Sequence, residues 1–80
     1  MTKVPDELIK LERSTEEERA RLAGLTGGAF DEQLSRWRDA FEAVQAAIAA
    51  HAAATGSSPY EVEQAVKSAL RHAQEDPAVE

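Results

Sequence analysis

The sequence predicts an all-α fold, a small helical bundle, and three observations carry the prediction. From Phe30 onward the large apolar residues Phe30, Leu34, Trp37, Phe41, Val44 and Ile48 recur at alternating spacings of four and three. That rhythm places all six on one stripe of an α-helix. No Gly or Pro interrupts the chain from Phe30 to Thr55, and alanine, the best helix former, dominates its second half. Finally, Gly56-Ser57-Ser58-Pro59 carries a helix stop and a helix start back to back. The expected architecture is a long central helix with an antiparallel C-terminal helix and a shorter N-terminal one, in a single domain over residues 1–80.

In chain order, residues 1–4 read as a frayed end. Pro5-Asp6-Glu7 then reads as a helix start, with proline tolerated in the first turn and acids at the positive end of the helix dipole. Ser14 with Glu17, or Thr15 with Glu18, forms a second start signal, a capping box. Either one bent helix runs from Pro5 to Ala23, or a helix begins at Thr15 and residues 1–13 form a mobile arm. Val4, Leu8, Leu11, Thr15, Glu18, Leu22 and Leu25 keep the four-three rhythm but turn polar midway. That polar centre favours a break or bend near Arg13–Ser14. Gly24, Gly27 and Gly28 end this region, with Thr26 or Asp31 as the cap of the central helix.

At about 1.5 Å per residue, Phe30–Thr55 spans roughly 39 Å. Its outer face offers Glu32–Arg36 and Arg38–Glu42 as i,i+4 ion pairs. Continued past Ile48, the stripe reaches His51 and Thr55. Gly56 ends this helix, Ser58 caps the next, Pro59 takes its first position and Glu61 closes a capping box. The final helix runs to about Gln74 with Val62, Val66, Ala69, Leu70 and Ala73 on one face. Glu63–Lys67 and Arg71–Glu75 lie on the other, and Asp76-Pro77 stops it before a loose tail over residues 76–80. This helix is about 24 Å long, so its return covers the central helix only back to roughly Ala40. Phe30, Leu34 and Trp37 must be covered by the N-terminal helix or by another subunit. A homodimer joined along Phe30, Leu34, Trp37, Phe41 and Val44 is the preferred reading, with a lone three-helix bundle as its rival.

Size gives a partner a physical motive. A chain of 80 residues hides only about 60% of its unfolded surface, and with no cysteine it has no disulfide or thiolate site to staple it. Net charge is −6, and no third of the chain is basic. This argues against nucleic acid and anionic lipid as partners, since both call for clustered Lys and Arg. No apolar run approaches a membrane span and the first ten residues do not read as a signal peptide, so a cytoplasmic protein is expected.

Candidate chemistry is thin. His51 and His72 near a shared turn lack the further ligands of a metal site. Glu16-Glu17-Glu18 is explained by the helix dipole, with Glu17–Arg21 as an added i,i+4 pair. Arg36-Trp37-Arg38 could stack single-stranded nucleic acid, but consecutive helical residues diverge and acids flank them. No catalytic, cofactor or metal residue and no small-molecule substrate is assigned.

Residues 52–66 resemble the helix-turn-helix motif of DNA-binding proteins. Ala52, Gly56 and Val62 fall at its small–Gly–aliphatic spacing, and Ser57-Ser58-Pro59-Tyr60 resembles its turn. The resemblance implies a DNA-binding regulator reading with the helix from Pro59. Thr55 and Ser57 depart from it by being polar, and Glu61 and Glu63 would oppose phosphates. In size and acidity the chain also resembles acyl carrier proteins, but their Asp-Ser-Leu attachment motif is missing. The function expected is therefore a non-enzymatic protein-interaction module, a small regulator, adaptor or assembly partner. Its anchors are the aromatic residues of the stripe, and its acidic exterior would speed encounter with a basic partner.

Overall fold

A computed structural model of the chain describes residues 4–75, with side chains through Ala73. It is all-α: α1 spans Asp6–Ala20, α2 spans Gly27–Thr55 and α3 spans Pro59–Glu75. All three helices pack against one another, and α2 is the longest at 29 residues. The expected tail, the Asp76-Pro77 stop and the Arg71–Glu75 pair fall outside the described side chains.

Pro5 sits at the N-cap of α1 in extended backbone, and its carbonyl accepts the Leu8 N–H at 3.1 Å. Asp6 and Glu7 occupy the first turn, where the dipole favours acids. The break expected at Arg13–Ser14 is absent, because α1 runs uninterrupted through it. Ser14 and Thr15 are mid-helix rather than caps. The Thr15 hydroxyl instead reaches its own Leu11 carbonyl at 2.9 Å and the Ala40 carbonyl of α2 at 3.2 Å. The polar centre of α1 is thus satisfied across a helix interface, and hydrogen bonding replaces the break that polarity alone suggested. Residues 6–13, an arm in one of the two alternatives, are helical and carry Leu8 into the core.

The chain leaves α1 through a tightened turn, closed by Leu22 N–H to Arg19 and Ala23 N–H to Ala20. Thr26 takes the N-cap position of α2 without a side-chain capping bond, while Asp31 lies inside the helix. At the other end Gly56 adopts φ 73°, and the Ser57 N–H bonds the Ala52 carbonyl at 3.0 Å, a Schellman closure. The Ser58–Glu61 capping box forms as expected. Glu61 N–H donates to Ser58 Oγ at 3.1 Å, and Ser58 N–H donates to Glu61 Oε1 at 3.2 Å.

Helix α1 runs antiparallel to α2, which sets Thr15 beside Ala40 and Glu18 beside Gln33. Leu8, Val44, Ile48, Ala52, Val62 and Val66 form the core, all at most 4% exposed, with Val4, Leu11 and Ala47 packed at its edge. Helix α3 starts against the C-terminal half of α2, and its far end lies over α1, where Ala73 shares a concavity with Ile9 and Arg13. In the C-terminal half of α2 the buried residues therefore step by four, Val44, Ile48 and Ala52. Each step of four drifts about 40° round the helix. The seam thus rotates to follow α3, leaving His51 half-buried and Thr55 exposed. The radius of gyration, 14.4 Å, exceeds the roughly 11.6 Å of a compact chain of this length.

Candidate functional site

Beyond the edge of α3, the face of α2 that packs on α3 near Ile48 and Ala52 continues as an aromatic strip. Phe30, Leu34 and Trp37 are half-buried, and Phe41 is 42% exposed. The Trp37 and Phe41 rings lie 5.5 Å apart between centroids and tilt 30° to each other, within the range of attractive aromatic pairs. Val44, the fifth residue assigned to the stripe, is 1% exposed and committed to the chain's own core. Trp37 is neither fully buried nor free, so α1 covers one side of it and leaves the other open.

A groove of about 90 Å³ lies between α1 and α2 at the Trp37–Phe41 end of this strip. Thr15 and Arg19 line its α1 side, Trp37 and Phe41 its α2 side, and Glu63 and Lys67 of α3 close one end. Two polar arrangements join the helices around it. The buried Gln33 amide donates to the Glu18 carbonyl at 2.8 Å and to the Glu18 carboxylate at 2.7 Å. That bond, with help from Arg21 and Arg36 and against partial desolvation, holds the Glu18 carboxyl below its usual range. The second is an ion pair between Lys67 Nζ and Glu12 Oε2 at 3.1 Å, with Glu12 almost wholly buried and Glu63 at 3.9 Å. The Glu12 hydrogen bond raises the Lys67 pKa, opposed by desolvation and aided by the charges of Glu12, Glu63 and Glu16.

Sequence reasoning missed both arrangements, though each left a trace. Glu12 stands four residues after the buried Leu8, and Gln33 stands four before the half-buried Trp37, so both are at helical register with inward-facing positions. Their polarity argued for the surface, and only an opposing donor or acceptor makes them interior. The surface ion pairs fare differently. Glu63–Lys67 is present, and Arg21 pairs with Glu18 at 3.1 Å rather than with Glu17. Among the described residues, neither Glu32–Arg36 nor Arg38–Glu42 closes to bonding distance.

In the helix-turn-helix-like stretch, Ala52 and Val62 are buried and Tyr60 is 70% exposed. Glu61 is held by the Ser58 cap and Glu63 faces Lys67. His51 is half-buried and His72 exposed. Among the described residues, no three His, Asp or Glu side chains converge as a metal site. Among them, too, no helix is long and apolar enough to cross a membrane. No protein-family model, curated protein or solved structure shows significant similarity to the chain.

Proposed function

We propose that this chain is a cytoplasmic, non-enzymatic protein-interaction module, a small regulator, adaptor or assembly partner whose contact surface is the aromatic strip of α2. The observation that carries the reading is Phe41, a large aromatic 42% exposed and set against a half-buried Trp37. Large aromatics set in partly preformed surfaces are the usual anchors of protein contacts. The partner expected first is a second copy, because a domain of this size gains most from added burial.

The test is solution mass by sedimentation over a hundredfold concentration range, for the native chain and for Phe41→Glu. The expected result is a concentration-dependent dimer that Phe41→Glu abolishes while helix content by circular dichroism is kept. A native monomer throughout overturns the self-association reading, and a dimer indifferent to Phe41→Glu removes the strip from the contact.

A further inference from the structure

From Glu16 to Thr26 no side chain is buried; Glu18, Leu22 and Leu25 are half-buried and the rest are exposed. The earlier part of α1, by contrast, buries Leu8, Glu12 and Thr15. The later stretch is held to α2 by polar contact, the Gln33 amide bonding the Glu18 carbonyl at 2.8 Å and its carboxylate at 2.7 Å. Segments with so little buried apolar surface open at a fraction of the global unfolding free energy. Yet this stretch covers one side of Trp37, since Thr15 and Arg19 line the groove with Trp37 and Phe41.

The residues around Thr15 carry the signals of a helix boundary. Lys10 and Arg13 precede it, and Glu16, Glu17 and Glu18 follow it. In the unbroken α1 the two cations lie mid-helix, and Glu17 and Glu18 stand in the last turn, where the dipole disfavours acids. With a break at Thr15 the cations fall at the C-terminal end of one helix and the three acids in the first turn of the next. The dipole favours both placements.

A break also frees the N–H groups of residues 15–18. A Thr15–Glu18 capping box recovers two of them: Thr15 Oγ accepts the Glu18 N–H, and the Glu18 carboxylate accepts the Thr15 N–H. In the closed form the same side chains are engaged elsewhere. The Thr15 hydroxyl donates to the Leu11 and Ala40 carbonyls, and the Glu18 carboxylate accepts from Gln33 and, at 3.1 Å, from Arg21. The two sets of bonds exclude each other, because a cap needs extended backbone at Thr15 and α1 needs helical backbone there. At the far end of the stretch Gly24 and Gly27 hold φ of 83° and 62°, a second joint.

Resting on the reading of the aromatic strip as a contact surface, we propose that residues 16–26 are a lid over its α1 side. The lid opens by a break of α1 at Thr15, where the bonds to Ala40 and Gln33 are exchanged for the Thr15–Glu18 capping box. The part of α1 before the break stays in place through Leu8 and the Glu12–Lys67 pair. Opening bares the covered side of Trp37. A partner of the whole strip therefore binds the open form, and its apparent affinity is reduced by the fraction of chains that are open.

The test is Glu16→Pro, read on the monomer by hydrogen exchange and by acrylamide quenching of Trp37, the single tryptophan. Glu16 is exposed, so the change removes no buried packing. In a continuous α1, proline there deletes the bond to the Glu12 carbonyl and clashes with it. In the broken form it takes the first helical position after a Thr15 cap, where proline is preferred, and it biases Thr15 toward extended backbone. The expected result is a rise in Trp37 quenching and loss of protection at residues 17–22, while amides around Ile48 and Val66 stay protected. In the native chain the amides of residues 16–22 are expected to exchange together, about a hundredfold faster than those around Ile48. Loss of protection at Ile48 in Glu16→Pro, or quenching that does not rise, overturns the lid. So does a native chain whose protection falls off gradually from Glu16 to Leu22, the pattern of a fraying end. None of these readouts needs a partner, so the lid fails or stands apart from the contact surface, which sedimentation of Phe41→Glu decides.

Discussion

The two ends of this molecule are held together by different physics. At the three-helix end, Leu8, Val44, Ile48, Ala52, Val62 and Val66 exclude water almost completely, and the stabilisation is apolar and non-directional. At the two-helix end α1 and α2 meet through Thr15, Glu18 and Gln33, whose bonds to carbonyl and carboxylate groups specify one register. Apolar packing tolerates sliding so long as volume is filled, whereas hydrogen bonds do not. The difference implies a division of labour, in which one end supplies stability and the other fixes alignment while leaving aromatic surface uncovered.

The largest expected effect breaks the comparison at its apolar side. Ile48→Ala empties a site that is 1% exposed and should cost about 2–5 kcal/mol, while Phe41→Ala at the open end costs the monomer under about 1 kcal/mol. Urea titrations of both variants at a concentration where the chain is monomeric will rank them, and equal losses would erase the distinction between the ends. Next comes the ion pair joining the apolar end to the groove. Lys67→Met leaves Glu12 buried without its cation and should cost about 1–2 kcal/mol, tempered by the exposure of Lys67. A Glu12→Leu/Lys67→Met double variant should recover most of that loss, since an apolar pair can replace a buried ionic one.

Smaller again is Gln33→Ala, expected to cost about 1 kcal/mol. Its signature is local. Hydrogen exchange should accelerate in the last turn of α1 and at the start of α2 while the Ile48 region stays protected. The mildest effect is set by pH, and it separates the ends by direction. Glu18 titrates below its ordinary 4.5, so its contribution is present above that value and is lost as pH falls through the lowered folded pKa. Lys67 titrates above its ordinary 10.5, so its contribution is present below that value and is lost as pH rises through the raised folded pKa. Amide shifts followed by NMR should therefore move around Gln33 with a midpoint below 4.5 on acidification, and around Glu12 with a midpoint above 10.5 at alkaline pH. Midpoints at the ordinary values would show that these bonds do not hold the two groups.

Where the chain turns, little was hidden. Gly56 must accept a left-handed backbone, and Ser58-Pro59 with Glu61 carries its capping chemistry within four residues, so local sequence suffices. The span of α2 and the apolar face of α3 were equally legible, because a stripe of large side chains has one economical burial. The capping box read at Ser14–Glu18 shows the opposite case. Its residues have the right types and spacing for a helix start, yet Thr15 is bonded across to Ala40 and the helix runs through. Of the groove, Trp37 and Phe41 could be named in advance, but not Lys67 or Glu12, which are 55 residues apart in the chain.

Local patterning sets the helices, the turn between α2 and α3, and an aromatic stripe too long for α3 to cover. Each of these rests on interactions within a few residues of one another. Contacts between helices keep α1 unbroken, bring Glu12 and Gln33 inside, and carry the far end of α3 from α2 onto α1. A polar side chain is compatible with either surface or interior, and what settles its place is the donor or acceptor on another helix.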